Sequence, residues 1–150
     1  DLGGFDGGEP GKILAHPKAG LGAMICYESV FPEIARASVK DGAEALVNIT
    51  NDGWYLDTAA PEQHFAMNVF RAVENRRYLL RAANTGISAV IDPAGNVRSR
   101  SRLGERTVLT DSFEPLSELT LYSRWGDVFA WACVLAACMG IASSFKRKKA

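Results

Sequence analysis

The chain has 150 residues, 47% of them apolar, with 17 basic side chains against 17 acidic ones. That length supports one modest folded unit with its own core and is thin for a multi-domain enzyme. A formal charge of zero leaves no global field to draw nucleic acid or an acidic surface.

Residues 1–12 hold five glycines, a proline and two aspartates, the composition of a surface loop. With no initiator Met, no charged leader and no apolar stretch, they read as an interior loop and not as a signal peptide. The expectation is therefore a fragment whose upstream part carried it across a membrane. Residues 22–27, GAMICY, are a short apolar run bounded by turn signals, which suits a buried strand ending near Cys26. Pro32 and Glu33 then open a predicted helix over 32–41, with Pro suited to the first turn and Glu to the positive end of the dipole. Gly42 supplies its stop. Residues 45–51, ALVNITN, form a second predicted strand, and the order strand, helix, strand implies a parallel crossover.

A loop over 52–60 leads to a longer predicted helix over 61–77, in which Phe65, Val69, Ala72, Val73 and Arg76 follow helical spacing. Strands are predicted at 78–83 and 86–91, with a reversal at Asp92-Pro-Ala-Gly-Asn before a further strand-like stretch. Residues 98–102 read as exposed and polar, 106–111 as a short strand and 115–122 as a linker. Mixed strands and helices with no internal repeat place the chain in the α/β class.

The last stretch is of another kind. Residues 125–144, WGDVFAWACVLAACMGIASS, carry one charge, Asp127, and are followed by Lys146, Arg147, Lys148 and Lys149. A bilayer core is crossed by roughly 20 mostly apolar helical residues. A run that is apolar on every side, with Trp125 and Trp131 in it and a cationic stop after it, predicts a transmembrane helix over 125–145 and a basic cytoplasmic tail over 146–150. Residues 1–120 are then the extracytoplasmic domain.

Three cysteines are present. Cys133 and Cys138 lie in the apolar run and read as small apolar side chains. Cys26, where an apolar strand gives way to a polar turn, is the one thiol placed for chemistry, although a cysteine after such a strand also suits plain core packing. Glu28 could move a proton, hold a substrate amine or simply cap the following helix. Tyr27 could be a core aromatic. His16 and His64 show no carboxylate or thiol pattern that would mark a metal site or a Cys-His dyad, and both read as structural or solvated. Asn51-Asp52-Gly53-Trp54 follows the second strand at the end where open α/β sheets place ligands, but also has ordinary turn chemistry. Arg71, Glu74, Arg76 and Arg77 read as ion pairs along a helix face.

Four ordered segments, ICYESVFPEIAR at 25–36, GAEALVNITNDGW at 42–54, PEQH at 61–64 and RAVENRRYLLRAANTGISAVIDPAG at 71–95, resemble the nitrilase or carbon-nitrogen hydrolase superfamily. The apolar run with its basic tail makes the likeness greatest to the membrane-bound branch that acylates lipoproteins. The resemblance implies an α/β fold, the C-terminal half of a four-layer α-β-β-α sandwich followed by one transmembrane helix. It implies a Glu-Lys-Cys triad with Cys26 as nucleophile, Glu28 needed in the catalytic site, and Tyr27 and Trp54 at the substrate pocket. The family's catalytic Glu and Lys precede its cysteine, and Glu9, Lys12 and Lys18 sit in no matching motif, so these residues alone are expected to be inactive. The implied partners are a phospholipid acyl donor, an apolipoprotein acceptor and membrane lipid, with no nucleic acid, metal or cofactor. The implied location is a bacterial inner membrane, with the catalytic part on the periplasmic side. Two other readings stay open: a membrane-tethered amidase, told apart by the absence of acyl transfer from phospholipid, and a non-catalytic membrane-anchored binding domain, told apart by an unreactive Cys26.

Overall fold

A computed structural model describes the backbone of residues 11–147 and the side chains of residues 11–141. Residues 1–10 of the glycine-rich loop read over 1–12, and the end of the basic tail, lie outside them. Six strands form one sheet in chain order: β1 (Ile13–His16), β2 (Ala19–Ile25), β3 (Ala45–Thr50), β4 (Leu79–Ala83), β5 (Ala89–Ile91) and β6 (Val97–Arg100). Helix α1 (Pro32–Lys40) joins β2 to β3 and helix α2 (Ala60–Asn75) joins β3 to β4. Both pairs run parallel, as the strand, helix, strand order requires, while β1 and the β4-β5-β6 hairpins are antiparallel.

Both helices lie on one face of the sheet. Ala35 and Val39 of α1 and Phe65 and Ala72 of α2 meet Met24, Leu46, Leu79 and Ile91 from alternate strand positions to make the core. Gly22 permits the close approach of α1, because a β-carbon there would lie 2.8 Å from the Ser38 Cβ and 3.0 Å from a Leu46 methyl. The other face is open: Ile25 is 67% exposed and Ile49 58% exposed. Between its strands and the extended chain near residue 110 runs a cleft whose apolar wall includes Val47, Leu80, Val90 and Phe113.

Several boundaries differ from those read in the sequence. Strand β1 was not predicted, because three of its four residues are exposed and it carries no apolar period. Cys26 and Tyr27 do not continue β2 but open a 3-10 turn, Cys26–Val30. The second helix ends at Asn75, where Arg76 takes a left-handed conformation at φ 49°, two residues short of the predicted end. Arg77 therefore forms no ion pair on a helix face. It is buried and donates to the carbonyls of Ala43, Asn75, Arg76 and Glu118. The stretch read as polar after residue 98 begins inside β6. Residues 106–111 form no strand: Val108 is 88% exposed and no neighbouring strand pairs with it among the described residues.

At the C-terminal end, helix α3 (Leu121–Trp125) is held against the domain by Arg36, which donates to the carbonyls of Tyr122 and Arg124. Ser123 donates to Asn75 and Thr120 to the Glu74 carbonyl in the same junction. Gly126, at φ 68°, then breaks the chain before α4 (Val128–Arg147) begins. The helix expected over 125–145 thus starts at Val128, after the break at Gly126, and among the described residues no helix is long and apolar enough to cross a membrane.

Candidate active site

Strands β2, β3 and β4 run parallel, so their C-terminal ends lie side by side, the end where open α/β sheets place their ligands. Cys26 follows β2, Asn51 and Asp52 follow β3, and Asn84 follows β4. Cys26 stands at φ 51°, left-handed backbone that costs a side chain with a β-carbon on the order of 1–3 kcal/mol. Such strain persists only where surrounding contacts hold it.

The holding contacts are a buried polar cluster. The Cys26 carbonyl accepts hydrogen bonds from His64 Nε2 at 3.1 Å, Asn48 Nδ2 at 3.2 Å and Ser29 Oγ at 3.3 Å. His64 Nδ1 lies 2.9 Å from one Asp52 oxygen, and Arg81 grips the other at 2.7 Å. Thr50 donates to Asp52, and Arg81 also donates to the Asn48 amide oxygen. Asn48 and Arg81 are register partners across β3 and β4, so the cluster is built on adjacent strands and closed from above by α2. Arg81, Asp52, His64, Asn48 and Ser29 are all buried, and every charge in the group has a partner. Burial pulls the Arg81 guanidinium below its ordinary value, and neighbouring Asp52 opposes that shift. Burial also pushes the Tyr55 phenol up, with the charges of Cys26 and Asp52 adding to it. Gly86 is required beside this cluster, since a β-carbon there would collide with the Asp52 carboxylate.

The residues singled out in the sequence divide. Cys26 and Glu28 share the 3-10 turn, where a Glu28 oxygen accepts the Ile25 N–H at 2.7 Å and so ties the turn to the strand end. Tyr27, 53% exposed, contacts the rings of Phe31 and His64. Trp54 is 83% exposed, in the 3-10 turn Asp52–Tyr55 after β3. Beside His64 a cleft of about 210 Å³ is lined by Tyr27, Val30, Tyr55, Ala60 and Met67. His16 is exposed and accepts the Lys18 N–H. His64, read as structural or solvated, is buried and bonded to the backbone of Cys26. Sequence reasoning also passed over Asn48, Arg81 and Ser29. A signal for the first two existed: a lone Asn inside ALVNIT and a lone Arg inside LLRAA are polar residues in buried strands, and each demands a partner.

Comparison with known proteins gives these features a context. The family model described as carbon-nitrogen hydrolase matches residues 5–115. The chain is 46% identical over 147 residues to an apolipoprotein N-acyltransferase of Geobacter metallireducens, covering 98% of this chain and 28% of that protein. It is 39% identical over 137 residues to an apolipoprotein N-acyltransferase of Thermotoga maritima, covering 89% of this chain and 27% of that protein. The chain thus spans about a quarter of the length of the curated relatives it matches. Among solved structures, Nit3 of Saccharomyces cerevisiae, a member of branch 10 of the nitrilase superfamily, superposes with a TM-score of 0.58 at 26% identity over 67% of this chain and 40% of that one. An amidase from Nesterenkonia sp. AN1, whose structure shows Michael addition of acrylamide at its active-site cysteine, superposes with a TM-score of 0.52 at 27% identity, over 66% of this chain and 41% of that one.

Proposed function

This chain belongs to the carbon-nitrogen hydrolase family, and from that premise we propose that it forms part of an enzyme that moves an acyl chain from a phospholipid to the α-amino group of an apolipoprotein's N-terminal diacylglyceryl-cysteine. The observation that carries the reading is Cys26, held at φ 51° on the C-terminal end of β2, within a chain 46% identical to a relative named for that activity.

In the first half-reaction the Cys26 thiolate attacks the ester carbonyl carbon of the phospholipid. A C–S bond forms, the C–O bond breaks, and the lysophospholipid leaves with the electron pair and takes up a proton. In the second, the lipoprotein amine attacks the thioester carbon, the C–N bond forms and the C–S bond breaks. The amine's proton passes to a base, and the thiolate is regenerated. The base and the cationic partner of the oxyanion are assigned to a Glu and a Lys outside this chain. Within it, Glu28 ties the turn that carries the nucleophile, while Tyr27 and Trp54 offer exposed aromatic surface to the lipid chains. No metal or organic cofactor enters the scheme.

The rest of the enzyme would pack against the open sheet face, completing a four-layer sandwich. The apolar exterior of α4, including Phe129, Trp131, Val134, Leu135 and Ile141, supports a membrane anchor, with the catalytic surface outside a bacterial inner membrane and the basic tail within. The test is the intact protein in detergent with phospholipid, read by intact mass. A hydroxylamine-sensitive acyl adduct that disappears in Cys26→Ala is expected. A folded protein that gives no adduct but hydrolyses amides would replace this reading with a tethered amidase, and an inert Cys26 would replace it with a binding domain.

A further inference from the structure

We propose that His64 is a positioning residue for the nucleophile: its Nε2–H, with Ser29 beside it, holds the Cys26 carbonyl and through that peptide sets the direction of the Tyr27 N–H. This rests on Cys26 being the attacking group. A carbonyl oxygen only accepts, so Nε2 is the donor in its 3.1 Å contact with Cys26. Ser29 Oγ, which donates to the same carbonyl, also lies 3.2 Å from Nε2. The ring is fixed from behind by Asp52, which is itself held by Arg81 and Thr50. Tyr27 and Tyr55 pack around the imidazole at centroid distances of 6.1 and 5.8 Å.

That buried chain ends on the backbone of one residue, the non-glycine residue at φ 51° that carries the thiol. No peptide bond among the described residues is cis, so the Tyr27 N–H points opposite to the Cys26 C=O, away from the buried cluster. As the thiolate adds to an acyl carbonyl, charge develops on its oxygen. A backbone N–H stabilises that oxygen best when its direction is set beforehand and needs no reorganisation. The sequence could not show this, because His64 is 38 residues from Cys26 and the contact is to backbone.

The test uses the intact protein in detergent and two acylation-independent controls. p-Nitrophenyl acetate acylates the thiol: the C–S bond forms, the C–O bond breaks and nitrophenolate leaves in a burst that needs no phospholipid. Iodoacetamide alkylates the same thiol with no carbonyl oxyanion, and the melting temperature reports folding. In His64→Asn the amide falls short of Cys26, and the burst is expected to slow about 30- to 100-fold while alkylation stays within about threefold. In His64→Gln the longer amide returns an N–H to the Nε2 position, and the burst is expected to recover to within about fivefold of the parent. Ser29→Ala, which trims a second donor from the same carbonyl, keeps the test usable if His64→Asn does not fold, and about a three- to tenfold slower burst is expected.

A burst at parental rate in folded His64→Asn overturns the proposal, as does equal slowing in the Asn and Gln variants or alkylation that falls in step with the burst. If His64→Asn does not fold, an unchanged burst in Ser29→Ala overturns it. A parent protein that shows the burst but takes no acyl chain from phospholipid defeats the assigned donor, and the His64 comparison is still decided on the burst. A folded parent whose Cys26 gives neither burst nor alkylation defeats the nucleophile and the role of His64 together.

Discussion

The two faces of the sheet are cut from the same strands and have opposite fates. On β3, Leu46, Asn48 and Thr50 turn toward the helices and are buried, while Val47 and Ile49 turn away. On β4, Leu79 and Arg81 go in, and Leu80 and Ala82 do not. The face that α1 and α2 cover thus encloses a buried Asn and a buried Arg, and the face without helices leaves Ile25 and Ile49 exposed. Residue type alone would have sorted these positions the other way. Polar groups can be interior because each finds its partner within the chain, Arg81 on Asp52 and Asn48 on the Cys26 carbonyl. Apolar groups can be exterior because an alternating strand has two faces, and the two crossover helices cover only one.

The largest test of that contrast is Arg81→Met. It leaves the fully buried Asp52 carboxylate without its cation, and a loss of about 3–5 kcal/mol is expected in urea denaturation. A loss below about 1 kcal/mol would mean that water reaches the cluster. Next is Leu46→Ala on the covered face, where the side chain is fully buried in the core and a cost of about 2–4 kcal/mol is expected. Ile49→Ala, three positions along the same strand but 58% exposed, should cost this chain no more than about 0.5 kcal/mol. Equal costs at Leu46 and Ile49 would break the comparison.

The smallest expected effect concerns Glu74, half-buried near the end of α2. Burial raises its carboxyl above the ordinary 4.5, and the cation of Arg71 opposes this. A raised folded value means that the native state favours the protonated form. Its contribution to stability is therefore present below pH 4.5 and lost as pH rises through the folded value. Glu74→Gln removes that titration, so the denaturation midpoint should fall less between about pH 4.5 and neutrality than in the parent. An unchanged slope would show that Arg71, 2.8 Å away, offsets the burial fully.

How much of this was legible depended on the range of the interaction. The two crossover helices and strands β2 to β4 were readable because apolar period, Pro at a helix start and Gly after a helix end all act within a few residues. Strand β1 escaped because three of its four side chains face solvent and its order comes from pairing with β2. The strand expected over 106–111 failed for the converse reason: alternation alone does not make a strand where none lies alongside. At the site, the motif named Cys26 and Glu28, and the structure holds both in the 3-10 turn Cys26–Val30.

The amino-acid sequence by itself determined the α/β class, the parallel crossovers, the apolar C-terminal helix and the thiol at the end of β2. These follow from local periodicity and backbone chemistry, in which neighbours along the chain are neighbours in space. Tertiary structure decided that Asn48 and Arg81 meet in register, that Asp52 and His64 join them from a loop and a helix, and that the cluster grips the Cys26 carbonyl. It also decided which sheet face stays open. Those contacts bridge up to 38 residues from His64 to Cys26. A hydrogen bond is set by distance and direction, which a linear order of residues does not contain until the sheet and its helices bring the groups together.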